Sequence, residues 1–234
     1  MQYGFFQDTI ISVEKKSPYL DEINSHGYRT HEINDENLNQ PHWYLFGESN
    51  VYGWGIAKHD RFSDRLETNW QEKVFNFARP GASCEECVRI LYGLSEIDQS
   101  PKGIILVWPY LFRRNHYTIA NGGPTYLVGN HRDKNMLKHL VNNDEDMDIA
   151  NFLHQIFFVE YWAKLKKVPV YHFMVDQKDV DMLKRKYVLD SCKICETGFS
   201  DCADSNDLAN DKSHWGELHH KIFTFTIMNW IANS

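Results

Sequence analysis

The chain has 234 residues, which is enough for one domain or for one domain with insertions. Its hydrophobic fraction of 42% supports a sizeable core, and its charged fraction of 24% is ordinary for a globular protein. A net charge of −7 argues against broad binding to nucleic acids or to anionic membranes. No membrane span is expected, because the sequence lacks an apolar run of about 18 residues.

The N-terminus and the cysteines indicate the expected compartment. The first residues lack a basic region followed by a long apolar stretch, so we expect no secretory signal. The five cysteines are odd in number and are not spaced like a disulfide framework. Both features favour a reducing, cytoplasmic location.

The sequence patterns that indicate secondary structure are weak in the first 40 residues and regular after them. We interpret residues 1–40 as an N-terminal extension with one strand at 9–13, and residues 41–234 as a single domain. From residue 43 onward, short apolar runs alternate with segments of helical periodicity. The predicted strands are 43–46, 73–77, 103–108 and 169–175. The predicted helices are 62–70, 83–94, 148–166, 177–186 and 215–230.

The alternation of strands and helices predicts an α/β fold, a three-layer α/β/α sandwich with a mostly parallel sheet of about five strands. The run 103–108 is almost continuously apolar, as expected of a central strand that is covered on both faces. Residues from about 113 to 143 are rich in Asn, Gly, His and Arg, and we interpret them as a loop-rich insertion. We also interpret 190–210 as loop. In such sheets, functional sites form at the carboxyl ends of the strands.

Two short motifs carry possible chemistry. The apolar run 43–46 stops at Gly47 and is followed by Ser49, and near the other end of the chain Asp211 precedes His214 by three residues. A serine hydroxyl is a weak nucleophile at neutral pH and needs a histidine base that a carboxylate orients. Each motif alone also has a structural explanation, because Gly-x-Ser is common in turns and Asp is a favoured helix cap.

Taken together, the motifs resemble those of a known enzyme family. Gly47-Glu48-Ser49, the glycine of Asn76-Phe77-Ala78-Arg79-Pro80-Gly81-Ala82, and Asp211-Lys212-Ser213-His214 follow the order and spacing of the SGNH (GDSL-like) hydrolases. The resemblance covers roughly residues 42–231 and implies a flavodoxin-like sheet and a serine esterase or acyl hydrolase without a cofactor. It implies a catalytic triad of Ser49, Asp211 and His214, and oxyanion binding by the backbone N–H groups of Ser49 and Gly81. The implied substrate is a small ester, for example an O-acyl ester on a carbohydrate.

The sequence departs from the family pattern in two places. Glu48 replaces the Asp of the first block, a change we expect to be tolerated because this side chain is not the nucleophile. The family's Gly-x-Asn-Asp block, which lends an Asn amide to the oxyanion hole, is missing after 103–108, and Arg113, Arg114 and Asn115 follow instead. Asn115 could supply a third oxyanion donor, or Arg113 or Arg114 could bind an anionic part of the substrate. The missing block also motivates an alternative function, a catalytically inactive module of the same fold that binds a glycan or a protein.

The cysteines suggest a second alternative. Cys84 and Cys87 form one C-x-x-C pair, and Cys192 and Cys195 form another. Two such pairs can hold a structural zinc ion, and both pairs are predicted to flank the same end of the sheet. Their separation is far longer than in a zinc ribbon, and Cys84 and Cys87 fit equally well as small apolar residues of a helix. We therefore predict no cofactor and no catalytic metal, with structural zinc as the alternative.

Overall fold

The structure, a computed structural model, describes residues 22–95, 97, 99–113, 115–120, 123–128, 145–185 and 194–234, with only the backbone described for 115–120, 123–128 and 145. The strands are β1 (His42–Phe46), β2 (Lys73–Asn76), β3 (Gly103–Trp108), β4 (Asn115–Ala120), β5 (Gly123–Val128) and β6 (Val170–Met174). The helices are α1 (Asp35–Leu38), α2 (Ser49–Tyr52), α3 (Phe62–Trp70), α4 (Cys84–Leu94), α5 (Glu145–Lys166), α6 (Gln177–Arg185) and α7 (Glu217–Ala232).

The main sheet confirms the predicted α/β class. Its strands lie in the order β2-β1-β3-β6, and every neighbouring pair is parallel. This is the order of a flavodoxin-like sheet, in which the first strand has neighbours on both sides. Beyond β6, the described residues contribute only a one-residue bridge between His172 and Ile194. In the described part of the chain the sheet therefore has four strands rather than about five.

Two apolar cores, one on each face of the sheet, account for the three layers. Successive residues of a strand point to opposite faces. Tyr44 and Phe46 accordingly pack with α4 and α5, whereas Trp43 and Leu45 pack with α3 and α7. All five residues of β1 are buried because helices cover both faces. None of the helices in the described ranges combines the length and the apolar character that a membrane span needs.

The predicted insertion at 113–143 contains regular structure that the sequence analysis did not predict. Strands β4 and β5 pair antiparallel and form a separate two-stranded sheet. The sequence between them is Asn121-Gly122, a dipeptide favoured in hairpin turns, so the signal was present in the sequence. The interpretation of this region as loop was wrong for β4 and β5. The predicted strand at 9–13 lies outside the described residues.

The described part of the N-terminal extension packs onto the domain. Tyr28 is 1% exposed and contacts the ring of Phe77 edge-to-face, with 5.3 Å between centroids. The buried Arg29 guanidinium donates hydrogen bonds to the carbonyl oxygens of Gly53 (2.6 Å) and Ile56 (2.9 Å). These carbonyls follow α2 in the chain, so the N-terminal segment holds in place the loop that leaves α2.

Candidate active site

Ser49 lies where β1 gives way to helix α2, at the carboxyl edge of the sheet. The chain leaves β1 at Phe46 and enters α2 at Ser49, so the turn between them has only two residues. A side chain at Gly47 would place its Cβ 2.4 Å from Cγ2 of Val51, and only glycine fits this close approach. Ser49 is 8% exposed, so it is largely buried at this edge of the sheet.

Glu48 makes contacts that the sequence analysis did not predict. It is fully buried and caps α2, with its Oε1 accepting hydrogen bonds from the backbone N–H and the side-chain amide of Asn50, both at 2.9 Å. Its Oε2 accepts a hydrogen bond from the Ser49 hydroxyl at 2.6 Å. The Ser49 hydroxyl therefore donates to its neighbouring carboxylate and not to a histidine.

Asp211 and His214 form a pair on the loop before α7. Nδ1 of His214 lies 2.5 Å from Oδ2 of Asp211, and Oδ1 of Asp211 accepts the backbone N–H groups of Ser213 (3.1 Å) and His214 (3.2 Å). Partial burial opposes ionisation of Asp211, but the hydrogen bonds from His214 and Ser213 outweigh it and lower the pKa of Asp211 to about 2. The ionised carboxylate thus orients the imidazole, with Nε2 as the nitrogen that can accept a proton.

A hydrogen bond across the sheet edge joins this loop to the Ser49 helix. The backbone N–H of Trp215 donates to Oδ1 of Asn50 at 3.1 Å, and these residues directly follow His214 and Ser49. The structure therefore brings Asp211 and His214 together and sets Ser49 beside their loop. The sequence analysis missed Asn50 as a connector, although an amide directly after the motif serine was available as a signal.

The loop after β2 lies against the same edge. The backbone N–H of Arg79 donates to the carbonyl oxygen of Gly47 at 3.1 Å, and the Asn76 amide donates to the Val51 carbonyl at 2.9 Å. These bonds draw the loop that carries Gly81 towards the loop that carries Ser49. Gly81 has a φ of +78°, a left-handed conformation that favours glycine.

Arg113 reaches this edge from the segment that follows β3. Its Nη1 donates to Oε2 of Glu48 at 3.2 Å and to the carbonyl oxygen of Ala82 at 3.4 Å, and the guanidinium lies 4.6 Å from the ring centroid of Tyr110. Arg114 lies outside the described residues. Asn115 begins β4, but its side chain is likewise outside the described part. Among the three residues considered for the missing block, Arg113 is placed next to Ser49.

Asp179 supports the segment that carries Arg113. Its carboxylate accepts the backbone N–H of Leu111 at 3.2 Å. Burial raises the pKa of Asp179, the Leu111 hydrogen bond opposes this, and the neighbouring Asp176 and Asp148 raise it further, to about 7. The folded protein therefore holds a proton on Asp179 more tightly than the unfolded chain does.

This raised pKa predicts a stability that falls as the pH increases. The penalty for ionising Asp179 appears as the pH rises from about 4, the ordinary Asp value, through about 7. We expect Asp179→Asn to raise the free energy of unfolding at pH 8 by about 1–3 kcal/mol and to raise it less at pH 5. Urea unfolding at both pH values measures this, with Asp181→Asn on the exposed face of α6 as control. An equal effect of Asp179→Asn at both pH values would contradict the assignment.

The described cysteines of the two C-x-x-C pairs lie on different faces of the sheet. Cys84 and Cys87 belong to the core on one face of the sheet, and Cys195 belongs to the core on the other. Burial raises the pKa of Cys87 well above its ordinary value and also raises the pKa of Cys195. Within the described residues, no three His, Cys, Asp or Glu side chains are grouped so as to hold a metal ion. Cys192 lies outside the described residues, so the four-cysteine zinc site stays an alternative to the predicted absence of a cofactor.

Sequence comparisons give no relative for this chain. No protein-family model matches the sequence, and no curated protein matches it at a significant level.

Comparison with solved structures gives three informative neighbours. The psychrotrophic esterase EstA from Pseudoalteromonas sp., solved as an inhibited form with monoethylphosphonate, aligns with a TM-score of 0.50 and 12% identity, over 82% of this chain and 99% of the esterase. TesA aligns with a TM-score of 0.55 and 10% identity, over 82% and 98% of the two chains. A member of the lipolytic G-D-S-L family from Veillonella parvula aligns with a TM-score of 0.52 and 11% identity, over 82% and 99%.

These alignments span nearly the whole of each neighbour, so the shared architecture is that of a complete domain. At 10–12% identity they establish the fold and leave the activity open. The resemblance inferred from the motifs is confirmed at this level: the chain has the fold of the SGNH (GDSL-like) hydrolases.

Proposed function

We propose that this protein is a serine hydrolase of carboxylic esters, with Ser49 as nucleophile, His214 as general base and Asp211 as the carboxylate that orients His214. The observation that carries the proposal is the Asp211–His214 hydrogen bond of 2.5 Å, on a loop whose Trp215 is bonded to the neighbour of Ser49. An SGNH fold shared with an esterase and a lipolytic-family protein supports the same chemistry by analogy.

In the proposed reaction, Ser49, His214 and Asp211 act as nucleophile, general base and orienting carboxylate. The Ser49 hydroxyl turns from Glu48 towards His214, its proton passes to Nε2, and Oγ attacks the ester carbonyl. Asp211 remains ionised and stabilises the imidazolium that forms. The backbone N–H groups of Ser49 and Gly81 donate to the oxyanion. His214 then protonates the leaving alcohol, and a water molecule activated by His214 releases the acid from the acyl enzyme.

For the substrate, we propose a small O-acyl ester, with acylated carbohydrates as the first class to test. The ring of Trp54 lies 6.5 Å from the ring of His214, and both are partly exposed at the sheet edge. Aromatic rings at such a position stack on sugar faces and also accept acyl chains. A preference for charged over neutral esters would add Arg113 or Arg114 to this set as an anion-binding group.

The test of this proposal is labelling with a fluorophosphonate probe together with turnover of p-nitrophenyl acetate. We expect Ser49→Ala to abolish both, and His214→Ala to abolish both nearly completely, because the hydroxyl loses its base. Ser95→Ala and His59→Ala serve as controls, since the Ser95 hydroxyl bonds the Tyr92 carbonyl at the end of α4 and the His59 side chain is 83% exposed. Equal labelling of the wild type and Ser49→Ala would show that another residue reacts.

The hydrogen bond from Ser49 to Glu48 favours a second candidate function. A serine held by a buried carboxylate fits an inactive SGNH-fold module that binds a glycan or a protein. This candidate predicts that the folded wild-type protein shows neither labelling nor turnover. It also predicts saturable binding of an acetylated oligosaccharide in calorimetry, unchanged in Ser49→Ala.

A further inference from the structure

The segment after β3 places a cation beside the proposed nucleophile. Arg113 Nη1 and Ser49 Oγ both donate to the same oxygen, Oε2 of Glu48, at 3.2 Å and 2.6 Å. The guanidinium and the serine hydroxyl are therefore linked through one shared carboxylate oxygen. The second contact of Nη1, to the Ala82 carbonyl, lies next to Gly81 in the chain. Arg113 thus lies between the two loops that carry the proposed backbone oxyanion donors.

Contacts of different kinds hold the guanidinium in this place. Glu48 provides a buried opposite charge, Ala82 a backbone acceptor, and Tyr110 a ring face 4.6 Å away. Such contacts restrict the rotamers of a long side chain before any substrate arrives. A donor that is already oriented loses little free energy to reorganisation when the transition state forms.

We propose that Arg113 supplies the third oxyanion donor, with a charged guanidinium at the position where the family block after this strand contributes an Asn amide. The inference rests on the proposed ester hydrolysis at Ser49. Arg113 follows β3 in the chain, as that block does, and its Nη1 already contacts the Ser49–Glu48 turn.

Electrostatics explains why a cation suits this site. The buried carboxylate of Glu48 lies next to Ser49, where it would repel a developing oxyanion. A guanidinium at the same point offsets that repulsion and donates charge-assisted hydrogen bonds, which are stronger than those of a neutral amide. In this proposal, Glu48 replaces the Asp of the first family block, and Arg113 replaces the Asn of the Gly-x-Asn-Asp block.

Steady-state kinetics with a neutral ester tests the proposal. We expect Arg113→Ala to lower kcat about a hundredfold or more and to leave KM nearly unchanged, because the hydrogen bond forms in the transition state. Arg113→Gln, which keeps a neutral N–H donor, should retain more activity than Arg113→Ala. Millimolar guanidinium should restore part of the activity of Arg113→Ala. The control is Lys102→Ala, which removes an ion pair with Glu72 at the amino ends of β3 and β2, on the opposite edge of the sheet, and should leave kcat unchanged.

The Glu48→Gln background separates a transition-state role from simple charge pairing. If Arg113 donates to the oxyanion, Arg113→Ala still lowers kcat at least about tenfold in that background. If Arg113 only neutralises Glu48, the second substitution has no further effect, which would overturn the proposal. An increase of KM for anionic esters alone, with kcat retained, would overturn it as well. Absence of turnover and labelling in the wild type would instead refute the ester hydrolysis, so the two failures are distinguishable.

Discussion

Replacement of Asp211 by Asn is expected to lower kcat for ester hydrolysis about 10⁴-fold with little change in KM. Oδ2 of Asp211 accepts the Nδ1–H of His214 and thereby leaves Nε2 without a proton. An Asn amide can donate to Nδ1 and stabilise the opposite tautomer, in which Nε2 cannot accept the serine proton. The substrate does not contact Asp211 in the proposed mechanism, so ground-state binding is unaffected.

Steady-state kinetics on p-nitrophenyl acetate measures this effect. Asp204→Asn is the matched control, because Asp204 is exposed on the same connection and caps only its own turn at Asn206. The pKa of Asp211 is about 2, so protonation of this carboxylate should cause no loss of activity above about pH 4. A kcat for Asp211→Asn within tenfold of the wild-type value would remove Asp211 from the mechanism.

Stability in acid is expected to depend on His220. This residue of α7 is fully buried, stacks on the ring of Phe62 at 5.6 Å, and accepts the Phe62 backbone N–H on Nδ1 at 3.2 Å. Burial, and then the nearby Arg61, lower the pKa of His220 to about 3. The unfolded chain binds the proton near pH 6.5, so stability is lost as the pH falls from about 6.5 towards about 3.

We expect this single group to remove about 3–4 kcal/mol of unfolding free energy between pH 7 and pH 4. His220→Gln keeps an acceptor for the Phe62 N–H but does not titrate, so it should be less acid-sensitive by that amount. Urea unfolding at pH 7 and pH 4 measures the difference, with the exposed His59→Gln as control. Parallel losses in the wild type and in His220→Gln would show that other groups cause the acid sensitivity.

The main sheet was predictable because its strands are buried on both faces. Gly103–Trp108 is apolar along almost its whole length, and all six residues are buried. The sequence analysis did not predict the hairpin β4–β5, because polar residues dominate its segment although a turn dipeptide is present. Short strands outside the main core carry weaker apolar patterns, since less of their surface is buried.

The contacts of the site differ in how far they depend on the fold. The Asp211–His214 pair lies three residues apart, so local spacing was sufficient to predict that the two side chains meet. The contact between Glu48 and Arg113 joins residues 65 positions apart, and the bond between Asn50 and Trp215 joins residues 165 positions apart. No periodicity in the sequence specifies such partners.

By itself, the sequence determined the order of strands and helices, the parallel sheet between two helical layers, and the edge at which Ser49, Gly81 and His214 lie. These features depend on the periodicity of apolar residues and on turn residues, and both are local properties of the sequence. Only the tertiary structure decided that the Ser49 hydroxyl donates to Glu48 and that Arg113 lies beside it. A hydroxyl or a guanidinium forms a hydrogen bond with an acceptor that the packed loops bring within reach. Such an acceptor is in position only after segments distant in the sequence have packed together.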